Sequence, residues 1–287
     1  RARGKAISLV SLGLPLSEAV MPGLLGWFLS QYQWQNGFLV ALVSLWFVFL
    51  PLTRSLVSPQ QRFNLPDQTL SQSENSPAPT VLDGLSRWQV MGRKSFYPLV
   101  LHSTVPGFVL TGLFFHQGWL ASTKVWTLQT LANAFLVFAL TRSVISFAMG
   151  PLVDRWSAAR LFPLSLLPLL AALVVVCTLN VTWTPWLYLA LIAGTVGFTG
   201  PVHSSLWAEL YGLKHLGAIK SMVSFFGVFA TSLSPILMGF LIDNGWSANN
   251  IIWCLASLVA SITAISFTLF YGFCFHTKMP EEKNVQT

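Results

Sequence analysis

The chain has 287 residues, of which 54% are hydrophobic and 9% are charged, whereas a typical soluble domain carries about 25% charged residues. A mean hydropathy of +0.64, with 12 Trp and 22 Phe, excludes a surface wetted all round and suits a lipid-facing one with interfacial anchors. The net charge of +7 does not point to nucleic acid, because the basic residues form no patch or stripe. Cys177, Cys254 and Cys274 lie in apolar segments without metal spacing, so no disulfide framework, metal site or cofactor is expected.

A membrane-crossing helix needs about 20 mostly apolar residues, and eight such stretches follow one another along the chain. They are long and continuous rather than alternating, so the expected class is an all-α integral membrane protein and not a barrel. The first, 6–29, contains Glu18 in PLSEAVMP. The second, 37–53, reads GFLVALVSLWFVFLPL from Gly37 without a charge. Residues 54–96 then turn rich in Ser, Pro, Gln and Asn with charges of both signs, a composition that predicts a mobile linker. Six more spans follow at 97–116, 129–152, 161–179, 184–208, 218–242 and 249–275. His102 lies in the first of these six, Arg142 in the second (FALTRSVIS) and His203 in the fourth. The expected organisation is therefore a two-span piece (1–53), a linker (54–96), a six-span half (97–277) and a tail (278–287).

Lys and Arg favour the cytoplasmic side of membrane proteins. With the N-terminus inside, fourteen of the sixteen basic residues fall in inside segments; Lys124 lies outside and Arg142 in no loop. The expected protein is a multi-pass one of the plasma or bacterial inner membrane, with its N-terminus, linker and C-terminus cytoplasmic. Lys220 is expected to snorkel at the inner boundary, and Glu209, Lys214 and His215 to form an ordinary loop.

Residues 4–11, GKAISLVS, and 217–224, GAIKSMVS, align at an offset of 213 that pairs Gly4 with Gly217, Ser8 with Ser221, Val10 with Val223 and Ser11 with Ser224. The same offset pairs Pro22 with Pro235, Leu24 with Leu237 and Gly26 with Gly239. The first and seventh spans are therefore expected to be equivalent elements of two parallel repeats, one architecture of secondary transporters. Carried through, the offset leaves about 115 residues, or four spans, upstream of Arg1. Eight of twelve helices are thus expected here, in an N-terminally truncated chain.

Residues 150–160, GPLVDRWSAAR, join two spans on the inside. This stretch resembles the loop signature of the major facilitator superfamily: Gly, three residues, Asp, Arg, one residue, Gly, one residue, two basic residues. Gly150, Asp154, Arg155 and Arg160 match, while Ser157 replaces the glycine and Ala159 the first basic residue. Physically, Gly150 is expected to permit close helix approach. Asp154 is expected to accept from N–H groups at a neighbouring helix end, and the arginines to pair at the cytoplasmic rim. A gating latch and a plain topology anchor both fit. The first span, RGKAISLVSLGLPLSEAVMPGLLGWFLSQYQWQNGF, is similar to the fifth helix of monocarboxylate and oxalate–formate porters.

A charge at the bilayer centre costs about 2.5–3.5 kcal/mol and usually faces a cavity with a partner. Glu18 lies ~20 Å beyond Lys5 and Arg142 ~18 Å before Asp154, so both sit near the midplane. The resemblance implies that their helices, the fifth and eighth, face each other between the halves. Arg142 would then offer its fork to a substrate carboxylate, and Glu18, held out of water, would carry a proton. A fixed Glu18–Arg142 salt bridge is the alternative. His102 and His203 are candidate pathway residues or, alternatively, hydrogen-bonded interior histidines. The expected function is proton-coupled or exchange transport of small organic anions, carried out by a monomer in a lipid bilayer with substrate and protons as its partners and no nucleic acid. Efflux of amphipathic or cationic compounds, or a non-transporting sensor, are the alternatives. No glycine-rich phosphate loop or catalytic cluster points to an enzyme.

Overall fold

The structure, a computed structural model, describes residues 17, 20, 21, 23, 24, 27, 28, 31–51, 54 and 84–274. The chain divides into two compact units, Gly23–Val81 and the remainder. In the smaller unit, α1 (Trp34–Ser44) continues into a π-helical turn, Leu45–Phe49, within the expected second span. Most of the expected first span lies outside the described residues, and so does Glu18.

The larger unit contains α2 (Arg87–Met91), α3 (Phe96–Phe115), α4 (Gln117–Thr123), α5 (Leu128–Trp156) and α6 (Ala158–Leu161). A 3-10 turn, Phe162–Leu166, leads from α6 into α7 (Leu167–Thr178), followed by α8 (Thr184–Tyr211), α9 (Leu216–Asp243) and α10 (Ala248–Cys274). Six helical stretches here are long and apolar enough to cross a membrane: Phe96–Phe115, Leu128–Trp156, Ala158–Thr178, Thr184–Tyr211, Leu216–Asp243 and Ala248–Phe270. They coincide with the six spans expected between 97 and 275. The described residues are all-helical apart from one isolated bridge, Gly84 to Gly212.

Local chemistry explains where the helices begin and end. Thr127 caps α5 by accepting from the Thr130 N–H. Pro185 opens α8, and Gly212, at φ 80°, closes it in a conformation that costs glycine nothing. Apolar periodicity is weak because both faces of these helices are apolar, one toward neighbouring helices and one toward lipid.

Between helices, small residues set the approach. A Cβ on Gly197 of α8 would come within 2.7 Å of the Arg142 carbonyl oxygen and 3.1 Å of the Ser146 nitrogen, so α5 and α8 meet backbone to backbone. At the α3–α9 crossing, Gly112 leaves room for Ser234, whose hydroxyl donates to the Phe108 carbonyl at 2.5 Å. Gly150, expected to serve a close approach, does not: a Cβ there would meet nothing within 4 Å. The contact falls on Gly197 because α8 crosses α5 at mid-length rather than at its end.

The buried apolar residues form two clusters. One, around Leu99, Val153, Leu161, Leu206 and Tyr211, lies at the end that carries the α5–α6 turn and the α8–α9 loop. We call this the basic end, since Arg155, Arg160 and Lys214 are there. The other cluster, around Leu113, Leu120, Ala134, Leu173 and Tyr188, lies toward the opposite end. Buried polar residues His102, Thr104, Ser165 and Ser266 fall between them in sequence on α3, the 3-10 turn and α10. Part of the expected linker is built onto this unit: Leu85 donates its N–H to the Tyr211 carbonyl, Ser86 and Gln89 form a capping box, and Val90 of α2 is fully buried.

Candidate functional site

Charge inside the six long helices is of one sign. Between Phe96 and Cys274 the acids are Asp154, Glu209 and Asp243, each in the last turn of its helix. Two cations stand deeper. Arg142 is the middle residue of the 29-residue α5, about 21 Å from either end at 1.5 Å per residue. It is partly buried, and its backbone is clamped by Gly197 of α8. Lys220 is the fifth residue of α9 and is also partly buried.

Lys220 lines a cavity of about 320 Å³, broadly open on one side, between α3, α8 and α9. Ser103 and Thr104 of α3, His203 and Trp207 of α8, and Ser224 of α9 also line it. Two polar atoms of its lining residues, Ser103 Oγ and His203 Nε2, are buried just behind its surface with no hydrogen-bond partner. A buried polar atom left unpaired costs about 1–3 kcal/mol, so this wall is incomplete as a purely structural feature. Lys220 has no hydrogen-bond or ion-pair partner among the described residues. Sequence reading placed Lys220 as a snorkelling boundary residue and did not single out Ser103. The available signal was a lysine five positions inside an apolar helix.

The two histidines differ. His102 is fully buried and bonded on both ring nitrogens, Nδ1 to Ser266 Oγ at 2.7 Å and Nε2 to Ser165 Oγ at 3.0 Å. The Ser165 hydroxyl donates to the Phe162 carbonyl at 2.7 Å, so in the neutral ring Nε2–H donates to Ser165 and Nδ1 accepts from Ser266. His102 thereby ties α3 to α10 and to the 3-10 turn. His203 packs its ring against Phe162, 5.2 Å between centroids, and lies 6.3 Å from the His102 ring. It borders the cavity, whereas His102 does not line it.

At the α5–α6 turn, Asp154, Arg155 and Arg160 are exposed. The acceptor role expected of Asp154 falls to Glu209 instead. Its carboxylate accepts from the Ala158 N–H at 2.8 Å, the Ala159 N–H at 3.2 Å and the Ser157 hydroxyl at 3.1 Å. Glu209 is therefore no ordinary loop residue: it sits in α8 and caps α6. It fills the role because the end of α8 runs beside the start of α6, whereas Asp154 is still wound into α5. Ser157, between them, has φ 71° and ψ 144°.

At the opposite end, Lys124 Nζ donates to Asn249 Oδ1 at 2.9 Å and Asn180 Oδ1 at 3.4 Å, joining the α4–α5 and α7–α8 loops to the first turn of α10. Among the described residues there is no group of three His, Cys, Asp or Glu side chains that could hold a metal ion. A family model described as Major Facilitator Superfamily matches residues 107–286, more than half of the chain. No curated protein matches the chain.

Proposed function

The chain belongs to the major facilitator superfamily of secondary transporters, and from that premise we propose that it carries small organic anions, of monocarboxylate kind, in a proton-coupled or exchange reaction. It is an integral, multi-pass membrane protein. One observation carries the choice of an anion: the interior charges of the six-helix half, Arg142 and Lys220, are both positive, and its acids are confined to helix ends. A charge inside the bilayer is expensive and is kept where it meets a counter-charge. An anion is the kind of substrate that two interior cations favour over a cation.

In this reading Arg142, halfway along α5, takes the carboxylate on its planar fork. Glu18 supplies the proton, so that substrate and proton balance each other in one pathway. His203 borders the route at the basic end, and His102 holds the helices that frame it. Asp154, Arg155 and Arg160, exposed on the α5–α6 turn with Gly150 one turn before them, act as the gate against the other half. The twelve-helix count, the porter branch and the cytoplasmic placement of the basic end belong to the same proposal.

The test is uptake of radiolabelled monocarboxylate into proteoliposomes holding the complete protein. Arg142→Gln should cut flux about 30-fold or more, the cost of stripping one partner from a desolvated charge pair. Arg142→Lys should restore little, because a point charge does not reproduce the fork. Glu18→Gln should retain anion exchange but lose accumulation driven by a proton gradient. Normal flux in Arg142→Gln would remove the arginine from the site.

A further inference from the structure

We propose that the cavity between α3, α8 and α9 is a second anion station, separate from Arg142, in which Lys220 takes a carboxylate and Ser103 and His203 complete its hydrogen bonds. This rests on the organic-anion reading above and extends it to a site at the basic end. Three independent features converge there. The cavity, about 320 Å³, is at the lower end of the range for small-molecule sites. Its cation has no partner among the described residues. Two polar atoms of its lining residues, the Ser103 hydroxyl oxygen and His203 Nε2, are buried just behind its surface and unpaired. A carboxylate is an acceptor with about four lone-pair sites. It would accept from the Lys220 ammonium and, once the Ser103 and His203 side chains turn toward it, from the Ser103 hydroxyl and the His203 Nε2–H of the matching tautomer.

The station is distinct from Arg142 by position. Along α8, His203 lies six residues past Gly197, the residue that touches the Arg142 backbone, which is about 9 Å nearer the basic end. Its place beside Lys220, near the start of α9, makes it an antechamber. An anion entering from the basic end meets Lys220 first and then passes to Arg142. Trp207 and Val223 give the cavity an apolar side, which suits an acid with a short carbon chain better than an inorganic ion.

The test needs no transport. In the complete protein, with its native cysteines replaced and in zwitterionic-lipid nanodiscs, Ser224→Cys places a thiol on the cavity wall. Its reaction rates with an anionic (sulfonatoethyl) and a cationic (trimethylammonioethyl) methanethiosulfonate are compared, each normalised to a free thiol. The expected result is about a 10-fold preference for the anionic reagent, from one cation at close range, and protection by millimolar propionate. Lys220→Gln should abolish both, and Lys220→Arg should keep both. Absence of the preference, or equal protection by propionate in Lys220→Gln, would overturn the station. Protection that appears only when anionic lipid is added would assign the cavity to a phosphate headgroup and also overturn it. The two proposals can fail separately. Propionate flux that depends on Arg142 without any charge preference at Ser224→Cys removes the station alone. Preference and protection without flux remove the transport reading alone.

Discussion

Ser157 shows how one backbone position draws in a distant side chain. At φ 71° it occupies the region that glycine enters freely and an L-residue enters at a cost of about 1–2 kcal/mol. The loop signature that the sequence resembles has glycine at this position. Serine is held there by the Glu209 carboxylate, which takes its hydroxyl and the two N–H groups that follow. Glu209→Ala should lower the thermal stability of the purified protein by about 1–2 kcal/mol, the usual cost of a lost N-terminal cap. Ser157→Gly should be neutral or mildly stabilising, because relief of the backbone offsets one lost hydrogen bond of about 1 kcal/mol. The departure from the signature was legible in the sequence. Its compensation was not, because the partner lies 52 residues away.

At the scale of helices, the decisive residues are the small ones at crossings. Gly197 and Gly150 make a matched pair for experiment. Gly197→Ala drives a methyl group into the Arg142 carbonyl and the Ser146 amide, both backbone atoms that cannot rotate away. It should cost about 1–3 kcal/mol and, by moving the backbone that carries Arg142, lower flux as well. Gly150→Ala meets open space within α5 and should be neutral or stabilising by up to about 1 kcal/mol. Melting curves of the two variants side by side check this, and equal losses would refute the assignment of the crossing. Sequence reading located the helices within a few residues, since length and hydropathy suffice for that. It chose the wrong glycine for the close approach, because a crossing point depends on the angle between two helices and neither helix encodes it alone.

For the whole molecule, the charge distribution makes a prediction about sides. Arg155, Arg160 and Lys214 share one end and Lys124 the other, so the basic end should face the cytoplasm. A single cysteine at Arg160 should react with an impermeant thiol reagent only from the cytoplasmic side, and one at Thr123 only from the opposite side. The reverse pattern would invert the orientation, and with it the direction in which an anion meets Lys220 before Arg142.

The sequence by itself determined that this chain crosses a membrane and where its described long helices run, because burial in lipid demands a continuous apolar stretch of fixed length and each stretch is local. It also marked Arg142 as exceptional, since a charge amid apolar residues is conspicuous in one dimension. Only the tertiary structure decided that His102 is spent on Ser266 and Ser165 while His203 borders a cavity, that Lys220 faces that cavity, and that Glu209 rather than Asp154 caps the turn. Each of these depends on which side chains from separate helices arrive at one place. That is fixed by crossing geometry among helices whose surfaces are almost uniformly apolar, and such surfaces carry little periodic signal to say which face turns inward.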